Sequence, residues 1–319
     1  MGWGDNFELR RFEQDLISHY LESWRTDNVP SIVVNSTWYN RDHHSHVLRF
    51  IQEHHVRRVA LVSCMDPAIV SSEWFASLDL EVRNIGYYRG QDELDIWALA
   101  VDRYFRVDEQ AVSADHIDTA YLCFNRKPHW HRRRLFDQLQ HCGLLDSGIV
   151  TMGDDTGSPL RLLNHDVEPC YLAPNPGKDQ YGIVNDIMSL GPSDVWKKIF
   201  VNLVTETVFD VDDQWFVSEK IYKPILGMRP FLVYAPNGAR SWLNHAGFEN
   251  YMDDFYDISD VDLNYADNQV LFLQQLCDQP RAYFQQKYKD LLPKIQHNRN
   301  QFTRYIDKIK QRLRQGIGS

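Results

Sequence analysis

The sequence predicts an α/β protein made of two tandem doubly wound, Rossmann-like parallel-sheet domains. Three observations favour this fold class: short apolar strand-like runs alternate with amphipathic helical segments, the connections are short, and the alternation restarts after an unpatterned polar stretch at residues 107–118. Strands that alternate with helices pair as a parallel sheet. We therefore expect an N-terminal domain over residues 1–115, a C-terminal domain over 116–284 and a basic amphipathic helix over 285–319.

The N-terminal domain is expected to contain an opening helix and three strand–helix pairs. The run RVALVS at residues 58–63 is short and apolar, as in a strand that is buried on both faces. The segment at residues 91–104 repeats apolar residues every three or four positions, as in a helix with one buried face. The predicted elements, in order, are helix 6–24, strand 31–35, helix 42–54, strand 58–63, helix 69–78, strand 81–85 and helix 91–104.

The C-terminal domain repeats this alternation. Gly143 is placed to end a helix, and a long connection at residues 154–182 is rich in Gly, Pro and Asn. The predicted elements, in order, are strand 119–124, helix 129–142, strand 148–152, helix 193–199, strand 201–205, helix 219–226, strand 231–234 and helix 239–246. Helices fill the remainder of the chain.

Composition and charge argue against several classes of protein. Hydrophobic residues make up 43% of the 319, so the chain can bury a core, and the net charge of −10 argues against general nucleic-acid binding. No apolar run approaches the ~20 residues of a transmembrane helix, and the N-terminal segment is too charged for a signal peptide. The five cysteines form no C-x-x-C pair, so we expect a cytoplasmic protein without a zinc knuckle or a disulfide framework.

The C-terminal segment is basic, with nine Lys or Arg against two Asp over residues 287–314. Apolar residues recur there at helical spacing: Phe302, Tyr305, Ile306, Ile309 and Leu313. We expect a helix that packs this apolar stripe on the body of the protein and exposes its basic face. The alternative is peripheral contact with an anionic membrane surface, at the inner face of the membrane.

The stretch at residues 201–236 is expected to carry a binding site. It reads as strand, acidic loop, helix and strand, with Ser218 as the helix N-cap and Gly227 as its stop. Glu219 and Lys220 would then lie in the first helical turn beside the carboxyl end of a strand, where ligands bind in open α/β sheets. The NH groups of a helix N-terminus attract phosphate, and Lys220 adds a positive charge. The alternative is an ordinary surface Glu–Lys pair.

The same stretch resembles the donor-site signature of the α-1,3-fucosyltransferase family. The sequence VNLVTET at residues 201–207 is followed, after a loop, by FVSEK at residues 216–220. The family reads approximately F-N-x-x-F-E-N and then Y-V-T-E-K. Thr207, Phe216 and Ser218 therefore replace Asn, Tyr and Thr of the family pattern, and the similarity covers the middle and C-terminal half of the chain.

This resemblance implies a glycosyltransferase of GT-B architecture, with the sugar donor bound by the second domain. It implies that Glu219 binds the ribose of a nucleotide sugar and that Lys220 binds its diphosphate. The rest of the donor-binding set expected around this helix is Glu206, Phe216, Ser218 and Lys223.

A second basic cluster follows the predicted strand 119–124 directly. Its members are Arg126, Lys127, Arg132, Arg133 and Arg134. Positive charge at a helix start is unfavourable unless an anion lies nearby, and Arg suits bidentate contact with phosphate. The α-1,3-fucosyltransferases carry a diphosphate-binding Arg one turn before a similar F-x-x-L segment, which implies this role for Arg132, or for Arg133 in the alternative register. Asn125 and Arg126 complete the donor-binding set.

The alternative interpretation of this cluster is a solvated basic helix face. His129 and His131 flank the cluster, and each is expected at the protein surface.

The N-terminal domain is expected to supply the general base and the acceptor contacts. An inverting transfer needs a base that takes the proton of the attacking hydroxyl. The candidates, taken from loops that follow strands, are Asp42 or its alternative His43 after the first strand, Asp66 after the second and Glu93 after the third. The α-1,3-fucosyltransferases use a Glu within a motif that this sequence lacks, so position alone selects these three. The candidates for stacking on acceptor sugars are Trp38, Tyr39 and Tyr87, each of which could instead belong to the core.

No metal and no cofactor are expected. The run DHHSH at residues 42–46 places only pairs of side chains on one helical face, which is weak support for a metal site. The loop DVDD at residues 210–213 resembles the D-x-D motif of metal-dependent glycosyltransferases, but its position fits a solvated loop better. GT-B enzymes usually neutralise the leaving diphosphate with basic side chains and a helix dipole.

The main hypothesis is therefore a metal-independent glycosyltransferase that moves a sugar from a nucleoside-diphosphate sugar, GDP-fucose being one candidate, to a saccharide acceptor in polysaccharide biosynthesis. The first alternative is another nucleotide-handling enzyme of doubly wound fold, against which the absence of G-x-G-x-x-G and Walker-type loops counts. The second is a non-catalytic saccharide- or nucleotide-binding protein with a degenerate donor site.

Overall fold

A computed structural model describes residues 31–35, 48–63, 78–86, 98, 101–102, 114–125, 128–152, 161–162, 193–207, 209, 217–235, 237–263 and 265–315. The helix predicted over residues 6–24 lies outside these ranges, as do most of the helices predicted over 69–78 and 91–104. The chain divides into two compact units. One comprises Met1–Asp102, Lys178–Ile183 and Tyr305–Ser319, and the other comprises Arg103–Gly177 and Val184–Arg304. The domain boundaries expected near residues 115 and 285 stay predictions.

The first unit contains a parallel sheet of three described strands in the order β1-β2-β3. These strands are β1 (Ser31–Asn35), β2 (Arg58–Ser63) and β3 (Glu81–Gly86). Val59 of β2 pairs with Ile32 of β1 and with Val82 of β3. Residues 48–53, between β1 and β2, are helical, as the sequence predicts. The strand pattern is confirmed here, whereas a complete doubly wound domain in this unit stays a prediction.

The second unit contains a five-stranded sheet in the order β6-β5-β4-β7-β8. The strands are β4 (Thr119–Phe124), β5 (Gly148–Met152), β6 (Arg161–Leu162), β7 (Ile199–Thr205) and β8 (Phe231–Tyr234). Four of them are parallel, and every residue of β7 and β8 is buried, as expected for a sheet that is covered on both faces. The sequence missed β6, a two-residue strand that pairs antiparallel with β5.

Six numbered helices begin in the second unit, and the last of them continues into the first unit from Tyr305. They are α1 (Trp130–His141), α2 (Ser193–Lys198), α3 (Glu219–Leu226), α4 (Asn237–His245), α5 (Ala266–Cys277) and α6 (Arg281–Gln315), with 3₁₀ turns at Leu145–Ser147 and Met252–Phe255. Gly143 has φ of +69° just after α1, the left-handed conformation that the prediction of a glycine stop requires. The predicted strand 201–205 begins two residues earlier, because β7 extends its pairing to Ile199, opposite Thr119 of β4.

Helix α6 packs an apolar stripe inward. The stripe residues Phe302, Tyr305, Ile306 and Ile309 are all buried, as predicted, and the same face includes Phe284, Leu291 and Ile295. Because the apolar side of α6 is covered in this way, its charged side is the one exposed to solvent. Contact with a membrane surface stays a prediction. None of the helices in the described ranges has both the length and the apolar character that crossing a bilayer requires.

The strand order creates a switch point between β4 and β7. From β4 the chain passes through α1 to β5 on one side, and it later enters β7 on the other side before passing through α3 to β8. The right-handed rule for such crossovers puts α1 and α3 on opposite faces of the sheet. In open α/β sheets, ligands bind beside the carboxyl ends of the strands that flank such a reversal. By this rule, the carboxyl ends of β4 and β7 are where a ligand is expected to bind.

Candidate functional site

A buried carboxylate ties the end of β7 to the start of α3. Glu206 follows β7 directly and is 0% exposed. Its Oε1 accepts a hydrogen bond from the backbone NH of Ser218 at 3.1 Å, and its Oε2 accepts one from the Ser218 hydroxyl at 2.6 Å. Ser218 has extended backbone geometry and caps α3 by accepting from the backbone NH of Lys220 at 3.5 Å, as its sequence position predicts. The start of α3 is thus fixed to the carboxyl edge of the sheet.

Lys220 places a partly exposed ammonium at this helix start. Its Nζ donates to Glu219 Oε1 at 2.8 Å, to Ser218 Oγ at 3.0 Å and to Thr207 Oγ1 at 3.1 Å. The Lys220 side chain is 23% exposed, whereas that of Glu219 is 4% exposed. Glu219 therefore holds the lysine from the protein side. Solvent, or a ligand at the sheet edge, therefore meets the side chain of Lys220 rather than that of Glu219.

The two carboxylates of this site have shifted pKa values of opposite direction. Burial raises the pKa of Glu206, and the opposing effects of Lys220 and of the Ser218 hydrogen bonds are smaller. Burial alone would also raise the pKa of Glu219, but Lys220 and Lys223 outweigh it and hold that pKa below its usual range. Glu219 is thus the ionised partner of the lysine. Lys223, one turn further along α3, acts on this pair through its charge.

Helix α1 sends two side chains to the end of β7. The guanidinium of Arg132 is buried, and its NH2 donates to the carbonyls of Thr205 at 3.1 Å and Glu206 at 3.2 Å. Nε2 of His131 donates to the same Glu206 carbonyl at 2.9 Å. Burial lowers the pKa of Arg132, while Glu206 and Glu219 raise it. These contacts join the first turn of α1 to the end of β7.

A side-chain hydrogen bond joins the ends of β4 and β7. The hydroxyl of Thr205 donates to Asn125 Oδ1 at 2.6 Å, and both residues are 1% exposed. The backbone NH of Asn125 in turn donates to the carbonyl of Thr151 at 3.2 Å and to its hydroxyl at 3.0 Å. Three neighbouring strands are therefore locked together at the switch point, which leaves little freedom in the floor of the site.

Aromatic rings form an apolar wall beside this edge. The rings of His131 and Phe209 stack at 4.9 Å between centroids, and Trp130 meets Phe209 edge-on at 5.3 Å. Phe209 also lies against Tyr234 at the end of β8, at 5.3 Å. Burial raises the pKa of Tyr234 to about 12, so its hydroxyl is protonated at neutral pH. The wall therefore extends from the first turn of α1 to the end of β8.

The structure brings together six residues of the predicted donor-binding set. They are Asn125, Arg132, Glu206, Ser218, Glu219 and Lys220. Between the two registers considered for the diphosphate arginine, Arg132 reaches the sheet edge and Arg133 is exposed on the outer side of α1. Lys223 lies one turn further along α3 and acts on Glu219 through its charge. The other candidates lie outside the described residues: Arg126, Phe216, Asp42, Asp66, Glu93, Trp38, Tyr39 and Tyr87. Their roles stay predictions.

Two features of the site differ from the sequence-based expectation. His131 was expected at the surface but is 2% exposed, because the first turn of α1 lies against the end of β7. Thr205 was not singled out, although a polar residue at the carboxyl end of an otherwise apolar strand was a usable signal. Within the described ranges, no group of three or more His, Cys, Asp or Glu side chains is placed to hold a metal ion.

Comparison with known proteins finds a similar structure but no match at the level of sequence. No family model matches the chain, and no curated protein matches it significantly. Among solved structures, the chain is similar to a crystal structure of an α1,3-fucosyltransferase with GDP. The two share 12% identity over 93% of this chain and 97% of that chain, with a TM-score of 0.37. A similarity at this level carries no functional argument.

Proposed function

We propose that this protein is a glycosyltransferase that transfers a sugar from a nucleoside-diphosphate sugar to a saccharide acceptor. One observation carries the proposal. A capped helix N-terminus with a partly exposed lysine, Lys220, stands at the carboxyl end of β7, at the switch point of a parallel sheet. Ligands bind at such a point, and a helix N-terminus with a cation favours a phosphate group.

The contacts of Lys220 suit a diphosphate ligand. Two of its three acceptors, Thr207 and Ser218, are neutral hydroxyls that anionic phosphate oxygens can replace as stronger partners. Glu219 would keep the ammonium in place during the exchange. Arg132 would add a second positive charge from beneath the edge, without leaving its carbonyl partners.

In the proposed reaction, the acceptor hydroxyl forms a bond to the anomeric carbon as the bond to the diphosphate breaks. Negative charge builds on the departing diphosphate. Lys220 and the α3 NH groups are fixed before the reaction, so they would stabilise that charge without reorganisation. An inverting transfer also needs a base for the hydroxyl proton. Asp42, Asp66 and Glu93 remain the candidates.

A thermal-shift panel tests the donor site. GDP, UDP, CMP, ADP and dTDP would each be added with and without a divalent metal ion. A ligand that binds only the folded protein raises its melting temperature. We expect stabilisation by one nucleoside diphosphate without metal, and loss of that shift in Lys220→Ala. GDP would favour fucose or mannose as the sugar. No response to any nucleotide would overturn the donor site.

Lys198→Ala is a matched control for the lysine substitution. Lys198 is an exposed lysine at the end of α2. Its replacement by Ala should leave the nucleotide-induced rise in melting temperature unchanged.

A second candidate function is non-catalytic binding. The pairing of Glu219 with Lys220 at 2.8 Å favours it, because a lysine that is already neutralised has less charge to offer a reaction. Donor hydrolysis separates the two. Slow release of sugar from the stabilising nucleotide sugar, lost in Lys220→Ala, supports the transferase. Binding without any hydrolysis or transfer supports the non-catalytic protein.

A further inference from the structure

An open groove of about 820 Å³ runs along the outer face of the second unit, between α1 and α5. Its lining includes Trp130, Arg134, Gln138 and His141 of α1, and Asp267 and Leu271 of α5. From Trp130 to His141, α1 spans roughly 17 Å at 1.5 Å per residue. Apart from Trp130, whose inner edge belongs to the aromatic wall of the donor site, the groove residues named here have no contact with Lys220 or Arg132 among the hydrogen bonds described above.

Two exposed apolar side chains give the groove its contact surface. Trp130 on α1 is 51% exposed, and Leu271 on α5 is 48% exposed. The inner edge of the Trp130 ring is held by His131 and Phe209, at centroid distances of 5.7 Å and 5.3 Å. The indole is therefore anchored on one side and open on the other. A flat, rigid ring of this kind suits the apolar CH face of a sugar ring.

The polar groups of the groove are fixed in advance by a network across the two helices. Arg134 donates to both carboxylate oxygens of Asp267, at 2.8 Å and 2.6 Å, and Gln138 Nε2 donates to the same carboxylate at 3.4 Å. Gln138 Oε1 is buried and has no hydrogen-bond partner among the described residues. The Arg134 guanidinium and the Gln138 amide supply donors and the Asp267 carboxylate supplies acceptors, so the network as a whole matches ligand hydroxyls, which donate and accept.

The charge of the groove argues for a neutral ligand. Two arginines and two aspartates line it, so their charges cancel. A nucleic acid or an acidic peptide would need an excess of positive charge, whereas a neutral polyhydroxyl chain needs hydrogen-bonding groups and an aromatic surface.

From these contacts we infer that the α1–α5 groove binds a neutral oligosaccharide, with Trp130 stacking on one sugar ring and the Arg134–Asp267–Gln138 network binding hydroxyls. That this oligosaccharide is the growing acceptor chain rests on the proposed function. The groove begins at Trp130, beside His131, whose ring nitrogen reaches the end of β7. A chain in the groove would thus extend away from the donor site.

Saturation-transfer NMR with the intact protein tests the groove, because it detects weak ligands directly. The probes are neutral oligosaccharides built from glucose, galactose, mannose and N-acetylglucosamine, with acidic oligosaccharides for comparison. We expect signal from at least one neutral probe. Trp130→Ala and Asp267→Asn should each weaken its binding by about tenfold, since loss of a central aromatic or hydrogen-bonding contact typically has that effect. Tyr256→Ala is the matched control, because Tyr256 is a 67% exposed aromatic residue outside the groove lining.

Three outcomes would overturn the inference: no signal from any neutral probe, a preference for the acidic probes, or a neutral signal that survives both groove substitutions. Sedimentation velocity tests whether a second copy of the chain occupies the groove instead. A wild-type dimer that both substitutions dissociate would make the groove an interface between copies of the chain.

The outcomes for the two sites are separable. Nucleotide binding without a saccharide signal keeps the proposed function and removes the groove site. A saccharide signal that persists in Lys220→Ala, with no nucleotide binding in the wild type, keeps the groove and removes the donor site.

Discussion

Replacing Glu206 by Ala is expected to destabilise the protein by about 2–4 kcal/mol. The substitution removes two hydrogen bonds, at 3.1 Å and 2.6 Å, and leaves the backbone NH and the hydroxyl of Ser218 buried without an acceptor. Each buried group left unsatisfied costs about 1–3 kcal/mol. Removal of the buried carboxyl group recovers part of this, because that polar group no longer has to be desolvated.

Urea unfolding of the wild type and the variant measures this cost at neutral pH. Glu249→Ala is the matched control, since the Glu249 side chain is 46% exposed and its contacts with Lys294 and His297 are long, at 3.9 Å. The control should stay within about 0.5 kcal/mol of the wild type. A loss in Glu206→Ala no larger than that of the control would refute the view that this carboxylate fastens α3 to the sheet.

The pH dependence of Glu206→Gln checks the sign of the Glu206 pKa shift. Burial raises the folded-state pKa of Glu206, so its contribution to stability is fully present below the unfolded pKa of about 4.3 and is lost as pH rises through the folded pKa. Glutamine does not titrate. The stability advantage of the wild type over Glu206→Gln should therefore shrink as pH rises from mildly acidic to mildly alkaline. An advantage that grows with pH would mean a lowered pKa and would contradict the argument.

Two further substitutions test the floor of the site. Arg132→Lys keeps the charge but loses the planar group that reaches the Thr205 and Glu206 carbonyls, so urea unfolding should show a loss of stability of about 1–3 kcal/mol. The control is Arg133→Lys at an exposed position, which should change stability by less than about 0.5 kcal/mol. Equal losses in the two variants would contradict the buried role of Arg132. Thr205→Val keeps the side-chain shape but leaves Asn125 Oδ1 without its 2.6 Å donor, so the same measurement should show a loss of about 1–2 kcal/mol. A Thr205→Val protein as stable as the wild type would mean that the link between β4 and β7 is dispensable.

Local sequence was sufficient to predict most of the described strands and the boundaries of α3. The runs that form β2, β4 and β8 are short, apolar and bounded by polar or turn residues, so periodicity identifies them without knowledge of their neighbours. Ser218 and Gly227 mark the ends of α3 because capping is satisfied within a few residues of chain. The Glu219–Lys220 pair could be placed at a helix start for the same reason.

The tertiary structure alone decided which of the basic and polar residues form the site. Arg132 and Arg133 are adjacent in a basic run, and only the packing of α1 against the end of β7 buries the first and exposes the second. The hydrogen bond between Asn125 and Thr205 joins residues that are 80 positions apart, so it depends on the pairing of β4 with β7. By itself the sequence determined the elements and their caps, which are set by interactions between neighbours along the chain. The burial of Arg132, the ion pair of Arg134 with Asp267 and the α1–α5 groove come from contacts between distant segments. These contacts exist only once the sheet has fixed the register of its strands.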